Sequence, residues 1–165
     1  MSSMVVRDKI SPDLARMASR FRNRKPITEA MGVALMSVTQ RAFSQARFRP
    51  SPWAKVKRGG QPLRKTGALA HSIRVVRATN SLVEVGSDRV YAAFHQYGTD
   101  PYVIRARAKK ALFWAGAAHP VKKVNHPGLA ARPFFPFTPS GTPTRYARDL
   151  VHKAALAKMR LMAPR

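Results

Sequence analysis

The segment ALAHSIRVVRATNSLVEVGSDRVYAAFHQYGT, Ala68 to Thr99, changes its hydrophobic period half-way along. Its first part alternates, with Ile73 and Val75 on one face, and Asn80-Ser81 makes a tight turn into LVEVGS. Alternation of period two marks a half-buried strand, so two such runs around a short polar turn predict a β-hairpin. From Val90 the spacing becomes helical. Val90, Phe94 and Tyr97 share a face, and Gly98 stands where a helix closes on a left-handed residue. The expected centre of the fold is therefore a hairpin feeding a short helix. The same stretch gathers Asp88, Tyr91, His95, Gln96 and Tyr97, with Asp100 directly after it, which raises the question of a catalytic constellation with His95 as base.

Upstream, SPDLARMASRF reads as a short helix with Ser11 as N-cap, Pro12 in the first helical position and Asp13 in the first turn. Leu14, Met17, Ala18 and Phe21 form its apolar face. A longer helix is predicted from about Ile27 to Ala46, with Met31, Leu35, Val38 and Ala42 as its stripe. RFRPSPWAKVKRGGQP, residues 47–62, is rich in Pro, Gly and basic residues and reads as a long loop. Downstream of the short helix, YVIRA, KALFWAG and HPVKKVNHPG read as extended segments, followed by ARPFFPFTP. Thr142-Pro143 then starts a C-terminal helix to about Met162, with Tyr146, Leu150, Ala154, Ala157 and Leu161 on one face and Asp149 set to pair with Lys153. The predicted class is α+β: an antiparallel sheet of about four strands packed with a long N-terminal helix and a C-terminal helix. The expected divisions are residues 1–47 for the N-terminal helices, 48–140 for the β-rich core with its basic loop, and 141–165 for the last helix, all in a single compact domain.

A chain of 165 residues with 45% hydrophobic residues can bury a core. Its formal charge of +24, from 31 Lys and Arg against 7 Asp and Glu, predicts a polyanionic or acidic neighbour. No acid lies between Glu29 and Glu84 or between Asp100 and Asp149, so the positive charge of those regions cannot be neutralised locally. The absence of Cys excludes disulfides and thiolate metal sites. No apolar run is long enough to span a bilayer and the N-terminus has no signal-peptide core, so the expectation is a soluble protein of the cytoplasm with no membrane partner.

Catalysis finds little support. A metal-dependent nuclease collects several carboxylates around its cation, and only Glu84, Asp88 and Asp100 come near His95 in sequence. The short helix would separate Asp88 from Asp100 by roughly 10–15 Å, at about 1.5 Å per residue. His119 and His126 would point to opposite faces of one strand, and RGGQP lacks the Lys-Ser/Thr of a phosphate loop. No catalytic residue, metal ligand or cofactor site is assigned, and His95 reads as a structural histidine bonding backbone near Gly98. Zinc fingers, RRM-type aromatic strands and a helix-turn-helix are absent from the sequence as well, so any DNA contact should be electrostatic and blind to sequence.

Four motifs in order then carry a resemblance. PLRKTGALAHSI (residues 62–73), VEVGSDRVYAAFHQYGT (83–99), HPVKKVNHPGLAARPFFPF (119–137) and the upstream PSPWAKVK resemble the phage virion morphogenesis or tail-completion family, which includes Mu-like G-type morphogenesis proteins and head–tail joining, minor capsid proteins. The resemblance covers roughly residues 48 to 138. It implies a non-enzymatic structural protein of a tailed phage, prophage or gene transfer agent, placed at the neck or tail end of the virion after assembly in the bacterial cytoplasm. It further implies a homo-oligomeric ring, a hexamer by family analogy, that meets neighbouring neck or tail proteins and surrounds the path of the DNA. The alternatives are a sequence-nonspecific nucleic-acid-binding protein and, behind it, a metal-dependent nuclease. The expected DNA-facing residues are Arg47, Arg49, Lys55, Lys57, Arg58, Arg105, Arg107, Lys109 and Lys110. Phe113, Trp114, Phe134 and Phe135 are the expected interface residues, one of each adjacent pair turning inward and the other outward.

Overall fold

A computed structural model describes residues 10–56, 59–107, 110–114 and 117–163. The chain is α+β. It begins with α1 (Ile10–Arg22) and α2 (Lys25–Ala42), passes a single 3-10 turn (Ala46–Phe48), and reaches the one-turn helix α3 (Ala68–His71). Strands β1 (Ile73–Ala78) and β2 (Val83–Ser87) follow, then α4 (Ala92–Tyr97), strands β3 (Tyr102–Arg105) and β4 (Lys123–His126), and the long α5 (Arg145–Met162). Among the described residues there are four antiparallel strands, as the sequence predicts. They are divided between two separate hairpins, β1–β2 and β3–β4, instead of lying side by side in one sheet.

The hairpin at the centre forms in the expected place. Ala78 pairs with Val83 across the Asn80-Ser81 turn, and Thr79 N donates to Leu82 O at 2.8 Å. ALAH, however, does not join the strand. Gly67, at φ +74°, starts the helical turn α3, which carries the chain through Ser72 before β1 begins at Ile73. Ser72 Oγ donates back to Leu69 O at 2.7 Å and lies 2.7 Å from Ser87 Oγ, so the residue just before β1 is tied to the last residue of β2.

α2 is the spine of the molecule. One face lies so close on the β1–β2 hairpin that a Cβ added to Gly32 would stand 2.5 Å from Val83 Cγ2 and 3.2 Å from Val75 Cγ2. Its other face packs along α5, where Val38, Ala42, Phe48 and Ala147 are buried together with Leu150 against them. The second cluster begins at Phe43, just beyond the C-terminal end of α2, and joins it to Trp53, Leu69, Ile73, Ala92 and Phe134. Burying each large apolar side chain of this kind contributes about 1.5–3 kcal/mol.

Several helical expectations need correction. α5 buries Ala147 and half-buries Leu150, Val151, Ala154 and Ala155, whereas Tyr146 and Leu161 of the expected stripe are exposed. Alanine-rich helices have several nearly equivalent apolar faces, and the close approach to α2 selects the one with the smallest side chains. Asp149 pairs with Arg145 and Arg148, at 3.8 and 3.7 Å, instead of with Lys153. At the other end, α1 already includes Ile10, so Ser11 lies within its first turn and not at the cap. α1 buries none of its residues, and Leu14 and Met17 are exposed.

Candidate functional site

The acids that lie near His95 in sequence, Glu84, Asp88 and Asp100, are all exposed. Asp88 uses both carboxylate oxygens on arginines, receiving Arg74 at 2.9 Å and Arg89 at 3.4 Å. Glu84 is exposed opposite Arg77 in the hairpin register. His95 does not bond backbone near Gly98 through its ring. Its Nδ1 is buried with no hydrogen-bond partner, and Tyr91 lies edge-on against it at 5.9 Å. Burial, and then the nearby charge of Arg132, hold the imidazole below its ordinary pKa. Among the described residues no group of three or more His, Asp or Glu is placed to hold a metal ion, and no helix is long and apolar enough to cross a membrane.

What this stretch does instead is hold the chain together. Gln96 Oε1 accepts from Phe134 N at 2.9 Å and from Phe135 N at 3.0 Å, clamping the RPFF segment onto α4. The His95 carbonyl accepts from Arg132 N at 2.7 Å. Phe134 is thereby driven fully inside, at 0% exposure, against Phe43 at 5.2 Å. Trp53, from the proline-rich loop, closes the same core at 8% exposure and donates from Nε1 to Pro133 O at 2.9 Å. The long loop is therefore pinned at its aromatic residue, whose ring is buried and covered by the Arg49 guanidinium.

The basic residues expected to face DNA fall in different settings. Arg47 is exposed, although its guanidinium lies over Phe48 at 4.8 Å and its Nε donates to Gln45 Oε1. Arg49 is turned inward. Its guanidinium carbon lies 3.9 Å over the Trp53 ring, Nε donates to Ala42 O at 2.7 Å, and burial lowers its pKa. It caps the carbonyl end of α2, a structural use of an arginine at a helix C-terminus. Lys55 is exposed in the loop, and Arg105, Arg107 and Lys110 are exposed on the arm formed by β3 and β4. Lys57, Arg58 and Lys109 lie outside the described residues.

The arm adds cations that the sequence reading did not single out. Lys122 and Lys123 are exposed, and Lys123 stands directly across the ladder from Arg105. Like charges opposite each other in an antiparallel pair oppose the pairing. The signal for them was present in the acid-free gap from Asp100 to Asp149, but the register that makes them neighbours is not a local property. Phe113 and Trp114, further along the arm, are both exposed at 68% and 49%. Phe134 and Phe135 both turn inward, the second half-buried against the core. The inside–outside split expected of each pair does not occur, because neither pair lies on a regular strand.

With this geometry in view, the comparison with known families gives one result. The model of the phage virion morphogenesis family matches residues 5–144, and the chain belongs to that family. The match takes in α1 and α2, well upstream of the motifs at residues 48–138, and ends at residue 144, just before α5 begins. No curated protein and no solved structure matches the chain.

Proposed function

We propose that this member of the phage virion morphogenesis family completes the tail, or joins tail to head, of a tailed phage, prophage or gene transfer agent. Its family is one of structural and assembly proteins associated with the virion. In the proposed arrangement copies of the chain close into a ring, hexameric by family analogy, around the path of the DNA and against neighbouring neck or tail proteins. The observation that carries the reading is the β3–β4 arm, where Arg105 and Lys123 face each other with no acid between Asp100 and Asp149 to neutralise them. A polyanion alongside would relieve that repulsion, and duplex DNA in a lumen supplies one without any base being read. The proposed DNA-facing set is Arg47, Lys55, Arg105, Arg107, Lys110, Lys122 and Lys123. Phe113 and Trp114 are the proposed contact between neighbours.

Electron microscopy of particles from cells producing an epitope-tagged chain tests the assignment. The expected image shows antibody label and ring density at the tail end or neck. Deletion of the gene is expected to leave heads and tails unjoined or tails of irregular length. Normal particles after deletion, or label spread over the capsid, would overturn it.

A further inference from the structure

Beside α4 the surface opens into a recess of about 280 Å³ that the proposed ring does not use. Its floor is apolar, made by Val56, Leu63 and Leu69, and Tyr91 stands at its wall. The charged groups that line it, Lys65 and Arg132, are both basic, and the imidazole of His95 and the Thr66 side chain stand beside them. Neither Lys65 nor Arg132 forms an ion pair among the described residues, and the one side-chain bond of Arg132 runs from Nε to Ala54 O at 3.4 Å. His95 Nδ1 is sealed in without a partner, which leaves Nε2 as the ring nitrogen able to serve the recess. Leu63, on the floor, is held at φ +60°. A bulky residue in the left-handed region is a backbone outlier, and such strain is concentrated at ligand clamps and functional sites.

We propose that this recess docks an acidic side chain, flanked by an apolar one, from another protein chain. A carboxylate would accept hydrogen bonds from the guanidinium of Arg132 and the ammonium of Lys65, charge-assisted contacts of the stronger kind. The adjoining apolar side chain would cover Val56, Leu63 and Leu69. A DNA phosphate meets the cations but not the floor, because duplex DNA presents its phosphates on hydrophilic, convex ridges and would leave the three apolar residues facing water. The inference holds whether or not the chain closes into a ring. The imidazole reports on occupancy: it is surrounded by Tyr91, Lys65 and Arg132, with no acid among the recess residues, so a carboxylate arriving there favours its protonated form.

The test uses the full chain and NMR titration of the His95 ring protons, assigned by comparison with His95→Gln. The probe is the capped peptide acetyl-Leu-Glu-Leu-Glu-amide, run beside its Leu-Gln-Leu-Gln counterpart and a short DNA duplex. Binding of the acidic peptide is expected to move the His95 signals and raise the imidazole pKa. Arg132→Gln is expected to weaken the peptide about tenfold or more. Lys65→Gln, at an exposed position with no side-chain bond, should weaken it in the same direction and guards against a folding defect in the first variant. No response of His95 to the acidic peptide, an equal response to the amide peptide, or unchanged affinity in Lys65→Gln would overturn the proposal. Movement of His95 by the duplex alone would overturn it too, and would make the recess a phosphate site.

Discussion

Gln96 shows how one side chain can hold two distant parts of the sequence. Its Oε1 accepts from two successive backbone N–H groups, of Phe134 and Phe135, across 38 and 39 positions of sequence. Gln96→Ala would leave the donors of buried Phe134 and half-buried Phe135 unpaired, at a cost of about 1–3 kcal/mol for each group fully deprived of a partner. Urea unfolding is expected to show a loss of about 2 kcal/mol for Gln96→Ala, the low end for two such groups, and a much smaller one for Gln96→Glu, which keeps the acceptor. Equal losses in the two variants would show that the clamp contributes nothing. Such a role could not be read from YAAFHQYGT alone, since its partners lie in another segment. Trp53 makes the same point. Its surroundings of Pro, Gly and Lys imply solvent, and only Pro133, 80 positions away, gives its indole N–H a buried partner.

Elements with a strong internal period were legible; their neighbours were not. The hairpin, the short helix ending at Gly98 and the long helices all form close to where their spacing placed them. Periodicity defines a stripe without saying what covers it, and so α1 keeps its stripe bare while α5 turns a different alanine face to α2. Division of the strands into two hairpins was likewise hidden, because pairing between hairpins depends on contacts far apart in sequence. The β3–β4 register yields a direct prediction. Lys123→Glu replaces a repulsive cross-strand pair by an attractive one, which is expected to raise stability by a fraction of a kcal/mol, on the scale of about 0.2–1. The same substitution should weaken binding to duplex DNA in a mobility-shift assay. Stability gained with DNA affinity unchanged would remove the arm from the DNA-facing surface.

Across the whole molecule the excess of positive charge governs behaviour more than any single site. A net charge of +24 predicts binding to duplex DNA that is indifferent to sequence and falls steeply with salt. Each phosphate neutralised contributes about −0.9 to the slope of log K against log salt. Replacing Lys55 and Lys110 by Gln is therefore expected to make that slope shallower by up to about 1.8, read by fluorescence anisotropy over a salt series. The same pair of changes should leave unfolding unaffected, since both side chains are exposed. A slope identical to that of the parent would place the DNA contact elsewhere.

The way the arm is joined to the body has a mechanical side. β3 and β4 pack chiefly on each other, and just below them the two chain segments are crossed by a reciprocal pair of bonds, Thr99 N to Leu129 O at 2.9 Å and Leu129 N to Thr99 O at 3.1 Å. Gly98 and Gly128 let the backbones approach there. A Cβ on Gly98 would lie 2.6 Å from Leu129 O, and one on Gly128 would collide with Thr99 O. The arm is in effect a cantilever with a narrow root. A small rotation at that root would be multiplied at Phe113 and Trp114, the residues proposed to contact a neighbour, and would leave the core undisturbed.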